Sequence, residues 1–385
     1  MKINFNELIE KNNLPTKGSK IVVAMSGGVD SSVTAALLHE AGYKVIGVTM
    51  QLYQSRKVSE SKTCCSGRDI ADARKISKKF GFKHFIIDYK KEFEESVIND
   101  FVNSYKYGST PIPCIKCNQT VKFRDLLNFT YSINCEFLAT GHYVKRIEKK
   151  QMISLYQAKD KEKDQSYFLF ATTLKQLKSL RFPLGHFTKN QIRDYAKILN
   201  LSTSDKPDSQ DICFIPDGNY REFIRKRLKN KIKKGLIQSH DGKILGEHNG
   251  ITEYTIGQRK KIGIGGISGN KDHSPLYVLK IDIDSNKVIV GPKRLLEKFN
   301  IYFKDINLFS SIKKNKTFEA YIKIRSGKNK KLGKVNISKE DNNLGVINLY
   351  EPEFGVAPGQ ACVFYSKSKM LIGGGWITAG EHISQ

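Results

Sequence analysis

Apolar runs recur through the first third of the chain at Ile21 to Met25, Lys44 to Met50, His84 to Tyr89 and Glu136 to Ala139, each short enough for a buried strand. Between them the apolar period widens to that of a helix, over Asp69 to Phe80 and Phe93 to Tyr105. Strand alternating with helix predicts an α/β fold with a doubly wound parallel sheet. Ligands of such sheets sit beyond the carboxyl ends of the strands, so the loops after Met25, Met50 and Ala139 should converge on one site lined by Met50, Gly141 and His142. Met50 as plain core and Gly141 as a turn glycine fit the same pattern. From about Asp211 the texture changes. Gly235 to Gly269 is rich in glycine and basic residues, and from Pro275 the period turns to two, with Leu276 to Ile283 and Lys287 to Val290 flanking the turn Asp284-Ser285-Asn286. Further short strands at Phe318 to Ile324, Gly345 to Leu349, Gln360 to Tyr365 and Met370 to Gly373 suit a small β-barrel. The expected organisation is an α/β domain over residues 1–210, a small central domain over 211–290 and a C-terminal barrel over 291–385.

The run Ser26-Gly27-Gly28-Val29-Asp30-Ser31 joins the first strand to a helix expected to begin near Ser31. Its glycines let backbone N–H groups approach an anion, and the helix turns its positive dipole end to the same spot. Ser31 and Ser32 can add hydroxyl donors. No lysine follows the glycines, so the loop is not G-x-x-x-x-G-K-[ST]. An ordinary strand-to-helix turn with an Asp or Ser cap is the alternative for the glycines alone. With Asp30 and the second serine the run resembles the PP-loop of ATP pyrophosphatases, which activate a substrate oxygen by adenylation and release pyrophosphate. That resemblance puts Asp30 near magnesium and pyrophosphate.

The chain has 385 residues, enough for two or three domains, and a formal charge of +27 from 65 Lys+Arg against 38 Asp+Glu. Such an excess suits a polyanionic partner, most simply nucleic acid, although a bias toward lysine along the whole chain produces it equally well. No apolar segment approaches a membrane span and residues 1–20 lack a signal-peptide core, so a cytoplasmic protein without membrane contact is expected. Seven cysteines without a secretory signal argue against a disulfide framework. Cys114-Ile115-Lys116-Cys117 follows Thr110-Pro111-Ile112-Pro113, and a second signal is Asp208-Ser209-Gln210-Asp211-Ile212-Cys213-Phe214. A Cys-x-x-Cys reads as zinc, redox or cluster ligation. Cys64-Cys65 could complete a zinc set only awkwardly. Cys135 and Cys362 read as buried small hydrophobes.

Together these motifs make the chain resemble the tRNA-specific 2-thiouridylase (MnmA) family of PP-loop enzymes along essentially its whole length. The matching residues are Ala24-Met25-Ser26-Gly27-Gly28-Val29-Asp30-Ser31-Ser32, Met50, Cys64-Cys65 with Asp69 to Arg74, Thr110 to Asn118 with Lys122-Phe123, and Ala139-Thr140-Gly141-His142-Tyr143. They continue with Lys163-Asp164-Gln165-Ser166-Tyr167-Phe168, Ser209 to Phe214, Thr255-Ile256-Gly257-Gln258-Arg259-Lys260 and Pro358-Gly359-Gln360. The resemblance implies an ATP- and magnesium-dependent tRNA-uridine 2-sulfurtransferase, with Ala24 to Ser32, Met50 and Gly141 at the nucleotide. Its substrates would be wobble-uridine tRNAs of the Lys, Glu and Gln type, its sulfur source a relay protein, and its state a monomer. Cys213 would carry a persulfide and Cys117 would liberate the sulfur, leaving a transient Cys117–Cys213 disulfide. Such a bridge needs Cα atoms within roughly 7 Å, so the segment from Asp208 to Phe214 should fold over the ATP site. Ile112, Pro113, Cys114 and His142 would meet the target base, with Gln360 reaching in from the barrel. Lys163, Asp164, Gln165 and Arg325 match positions that hold tRNA. The basic runs Arg221 to Lys234 and Lys328 to Lys334 serve equally as phosphate contacts or as solvated surface.

One departure stands out: many family members carry aspartate after Pro-x-Pro, where this chain has Cys114. A thiol has a higher reference pKa than a carboxyl, which removes the obvious general acid/base. It also creates a three-thiolate set, Cys114, Cys117 and Cys213, resembling the ligands of a [4Fe-4S] cluster in other PP-loop thiolases. Cluster-dependent thiolation is therefore one alternative. Amide-forming PP-loop synthetases for GMP or NAD, lysidine-type tRNA ligases and a plain RNA-binding module are others, none of which requires Cys117 and Cys213.

Overall fold

The computed structural model describes residues 4–53, 67–208, 212–215, 218–229, 232–264, 275–309, 317–327, 329–338, 341 and 343–380. The chain divides into two compact units: Met1–Val97, Cys114–Gly218 and Ser368–Leu371 form one, and Ile98–Pro113, Asn219–Lys367 and Ile372–Gln385 the other.

The first unit is built on a parallel sheet of β1 (Lys20–Ala24), β2 (Lys44–Gln51), β3 (Lys83–Asp88), β4 (Phe137–Ala139) and β7 (Leu180–Arg181), in the order β3-β2-β1-β4-β7. Ile21, Val22 and Val23 are fully buried because β1 lies at the centre, with Val22 in register with Ile46 on one side and Leu138 on the other. A strand covered on both faces reads as a continuous apolar run, which is why its sequence signal is so plain. The helix Val29–Glu40 buries nine residues and belongs to the main core with Val33, Leu37 and Leu38. A hairpin of β5 (Val144–Lys149) and β6 (Met152–Gln157) extends this unit. Its turn residues Lys150 and Gln151 both have positive φ, 48° and 63°. That conformation usually draws glycine or asparagine, so neither residue announces the turn in the sequence.

Two sequence expectations need correction here. The helix after the glycine loop begins at Val29 with Gly28 as its cap, two residues before Ser31. Ser31 does not cap it, because its hydroxyl turns back to accept from the Ser26 N–H (3.1 Å) and donate to the Gly28 carbonyl (3.1 Å). The segment Phe93 to Tyr105 is helical but in pieces: Lys90–Phe93, a π-helical turn Glu94–Ile98, and Asn99–Lys106.

The second unit carries two β structures. The four-stranded sheet has β8 (Gly235–Ser239), β9 (Ile244–His248), β10 (Leu276–Asp282) and β11 (Lys287–Pro292) in the order β10-β11-β8-β9, around a core of Ile237, Val278, Val288 and Val290. The period-two strands after Pro275 complete this sheet. The closed barrel runs β12 (Glu297–Leu308), β15 (Leu344–Phe354), β14 (Lys331–Ile337), β13 (Thr317–Lys323), β16 (Ala361–Tyr365), β17 (Leu371–Ile377). Every residue of β16 is buried, including Cys362, whose thiol burial pushes well above its ordinary pKa. Cys135 is buried too, just ahead of β4. Among the described residues no helix is long and apolar enough to cross a membrane.

Candidate active site

The glycine loop leaves the carboxyl end of β1, where the Met25 N–H donates to the Val48 carbonyl (2.8 Å). Gly27 has φ +73°, and a Cβ there would lie 2.3 Å from the Asp69 carbonyl oxygen, so only glycine fits. The first-turn N–H groups of the helix Val29–Glu40 have no intrahelical acceptor by geometry, and its Gly28 cap adds no side-chain acceptor, which suits an anion. Lys206 braces the loop from behind. Its ammonium donates to the Gly27 carbonyl (2.9 Å), to Asp69 Oδ1 (2.5 Å) and to Asp72 Oδ2 (2.9 Å). Burial alone would lower the Lys206 pKa, but the two carboxylates outweigh it and raise it. Gly141 sits against the start of the same helix, its would-be Cβ 3.0 Å from the Asp30 carbonyl carbon and the Ser31 nitrogen. Met50 is buried in β2.

Asp30 is the centre of a long-range network. Its Oδ1 accepts from Tyr143 Oη (2.7 Å) and from Lys189 Nζ (2.7 Å), and Oδ2 accepts from the same ammonium at 2.8 Å. Lys189 Nζ also lies 2.8 Å from Asp208 Oδ1, while Lys163 Nζ reaches Asp208 Oδ2 at 2.6 Å and Arg193 reaches Oδ1 at 3.2 Å. Burial would raise the Asp208 pKa, but the hydrogen bonds from Lys163 and Lys189 prevail and hold it at about 2. Burial, with Asp30 second, pushes the Tyr143 hydroxyl well up, so it stays a protonated donor. Lys189 and Lys206 escaped the sequence reading. The only signal for Lys189 was local: it is the first residue of the helix Lys189–Ile198, inside the capping box Thr188–Gln191, where the helix dipole disfavours a cation.

The cysteines fall in three environments. Cys114 is exposed and Cys117 buried, at the two ends of a turn in the short helix Pro113–Cys117, which continues into the π-helical segment Asn118–Asp125. Cys213 is half-buried, anchored by its neighbour Phe214, which is buried edge-on to Phe93 at 5.7 Å. Among the described residues no three His, Cys, Asp or Glu side chains group to hold a metal ion. Cys114, Cys117 and Cys213 as placed therefore do not fit a cluster. A magnesium ion arriving with phosphates needs few protein ligands, and the Asp30 carboxylate suits one of them. Cys64-Cys65 and residues 209–211 lie outside the described residues.

Other candidate residues take varied positions. His142 is half-buried between the edges of Phe123 (5.8 Å) and Phe182 (6.2 Å), with Nδ1 2.7 Å from Thr140 Oγ1. Burial, reinforced by Lys122, lowers its pKa to about 3. Asp164 accepts from the Ala158 N–H, the Gln157 amide and Ser166 Oγ, and Gln165 Oε1 accepts from the Tyr143 N–H, so both side chains stiffen the framework around Tyr143. In the second unit Gln360 Nε2 donates to the Thr110 carbonyl (2.8 Å), and the Thr110 N–H donates to the Pro358 carbonyl (2.7 Å), which ties the approach to Ile112 and Pro113 onto the barrel's 357–360 turn. Arg325 is exposed and donates to the Phe354 carbonyl (2.5 Å). On the helix Tyr220–Leu228, Arg227 lies over Phe223 and Lys226 pairs with Glu222.

The depressed His142 value predicts an acid-side loss of stability. The unfolded chain takes up this proton near pH 6.5 and the folded chain only near pH 3, so the contribution is complete above 6.5 and lost as pH falls toward 3. Between about pH 6.5 and pH 4.5, His142→Gln should reduce the fall in urea stability by roughly 1–2 kcal/mol. An unchanged pH slope would mean that His142 protonates freely in the folded state.

A glycine loop that opens a helix at the carboxyl end of a central parallel strand, with a carboxylate in its first turn, defines a nucleotide-binding α/β domain of the PP-loop kind. Family profiles described as a tRNA methyl transferase HUP domain, a tRNA methyl transferase PRC-barrel domain and an aminomethyltransferase β-barrel domain match residues 19–217, 221–292 and 298–377. The tRNA-specific 2-thiouridylase MnmA of Ehrlichia ruminantium (strain Gardel) is 49% identical over 96% of this chain and 98% of its own. That of Wolbachia sp. subsp. Drosophila simulans (strain wRi) is 49% identical over 93% and 94%. The chain belongs to the tRNA-specific 2-thiouridylase family. Among solved structures, the U34-tRNA thiolase NcsA of Methanococcus maripaludis with its [4Fe-4S] cluster matches with a TM-score of 0.36 and 18% identity, over 59% of this chain and 71% of that one. At that level the likeness decides nothing.

Proposed function

We propose that this protein is a tRNA-uridine 2-sulfurtransferase that uses ATP to convert the wobble uridine to 2-thiouridine. Family membership supports the activity, and one observation supports bringing the segment that leads to Cys213 near the glycine loop. Asp208, at the head of the segment leading to Cys213, shares the Lys189 ammonium with Asp30 of the glycine loop. The loop N–H groups and the helix dipole would hold the triphosphate, with magnesium neutralising charge between the phosphates and Asp30. Uridine O2 attacks the α-phosphorus, which forms the O2-adenylate and expels pyrophosphate.

Sulfur arrives as a persulfide on Cys213, supplied by a donor protein. The Cys117 thiolate attacks Cys213 Sγ, breaks the S–S bond to the terminal sulfur and releases hydrosulfide. Hydrosulfide then attacks C2 and AMP leaves with the former O2. The Cys117–Cys213 disulfide returns to two thiols by taking two electrons from a thiol reductant. Ile112, Pro113, Cys114 and His142 line the base in this reading, and Lys163, Asp164, Gln165, Arg325 and Gln360 hold the tRNA. His142 stays neutral and can act only through hydrogen bonds. With Cys114 in place of a carboxylate, the uridine N3 proton released on adenylation passes to the departing pyrophosphate. The division into residues 1–210, 211–290 and 291–385 then separates nucleotide chemistry from the central domain and a tRNA-contacting barrel.

The test is direct. Purified protein with unmodified tRNA, ATP, magnesium and a persulfide donor should yield 2-thiouridine in the digested nucleosides. ATP consumption with uridine left unsulfurated would instead favour a ligase.

A further inference from the structure

The glycine loop lacks the lysine that completes many phosphate-binding loops, and the fold brings one to the same place from far along the chain. Lys189 is only 8% exposed, yet it is a cation at the first position of a helix, where dipole and desolvation both oppose it. Local rules broken at a buried position point to a functional demand. Its ammonium is held by both Asp30 oxygens at 2.7 and 2.8 Å and by Asp208 at 2.8 Å, with the Tyr143 ring 5.9 Å below. Asp30 belongs to the first turn of the helix that follows the glycine loop, so this ammonium is tied to the same turn whose free N–H groups suit an anion.

We infer that Lys189 is a phosphate-binding residue of the nucleotide site, the cation that the glycine loop itself does not provide. This rests on the reading that the loop binds ATP. Asp208 acts as its anchor: paired with Lys163 and Arg193 as well, it keeps Lys189 in place when Asp30 turns to a metal ion. The role is distinct from simple neutralisation of Asp30, and the two differ in sign. A mere counter-ion competes with magnesium, so its loss would tighten binding of the magnesium nucleotide, whereas loss of a phosphate ligand weakens it.

Calorimetry separates them, using β,γ-imido-ATP with magnesium, pyrophosphate without metal, and AMP. Lys189→Met should weaken the imido-ATP complex and pyrophosphate binding about 10- to 100-fold and leave AMP within about twofold, the expected loss of a charge-assisted contact to the outer phosphates. Lys189→Arg should recover most of the loss. Equal or tighter imido-ATP binding by a folded Lys189→Met protein, checked by circular dichroism, overturns the assignment. Failure of the wild type to bind metal-free pyrophosphate while binding magnesium imido-ATP overturns it as well, even where the methionine variant does not fold. A wild type that binds neither ligand defeats the ATP reading instead.

Discussion

Cys213→Ser is expected to abolish 2-thiouridine formation, lowering the rate by ~10^3 or more, because a hydroxyl cannot carry the transferable sulfur. The adenylation half of the reaction uses other atoms, so tRNA-dependent pyrophosphate release in a first turnover should survive. Cys117→Ser should fail differently. Cys213 could still be loaded but not relieved, and intact-mass spectrometry would find the extra sulfur accumulating on the protein. The environments make the pair asymmetric: half-buried Cys213 can meet a donor, while buried Cys117 is shielded from it. Retention of thiolation by Cys213→Ser with the persulfide donor would refute the sulfur route, and accumulation of sulfur on Cys117 instead would reverse the two roles.

Gly27→Ala should be the most damaging conservative change in the nucleotide loop. At φ +73° an alanine costs roughly 1–2 kcal/mol in backbone conformation. Its Cβ would also lie 2.3 Å from the Asp69 carbonyl oxygen and 2.6 Å from the Asp69 Cα, backbone atoms that cannot rotate away. Overpacking of this kind adds about 1–3 kcal/mol. The loop can relieve the clash only by moving off Asp69, which also breaks the Lys206 bridge between the Gly27 carbonyl and that residue. Urea unfolding should therefore show a loss of about 2–5 kcal/mol, accompanied by loss of ATP binding. Gly28→Ala is the control, since its Cβ meets only Ser26 Oγ at an ordinary 3.6 Å. Equal stability of the two variants would mean that the loop does not pack on Asp69.

The parts of this protein that sequence disclosed are those whose signals are short in range. β1, its glycine loop and the following helix form one contiguous run, and full burial on both sheet faces writes an unbroken apolar stretch. β12 was missed because only Ile301 and Phe303 among its twelve residues are buried, so charged positions mask the alternation. β14 was missed for a related reason, its inward Gly333, Val335 and Ile337 being interleaved with lysine and asparagine. The β5–β6 hairpin hid behind a Lys-Gln turn. At the site, Asp30 was legible from its motif, but its partners Tyr143, Lys189 and, through Lys189, Asp208 come from 113 and more residues away. Ion pairs between distant segments obey no period, so only the folded chain reveals them.

The unit that carries the glycine loop is not finished when its first 218 residues are. Its β5–β6 hairpin is completed by residues 368–371, where Tyr156 bridges Met370 and the Gln157 N–H donates to the Lys369 carbonyl. On the ribosome, that edge of the nucleotide-binding half therefore stays open until residues 368–371 have been made. Premature termination before residue 368 withholds that closing segment. Chains cut short before that point thus lack a strand contact in the very half that would handle ATP.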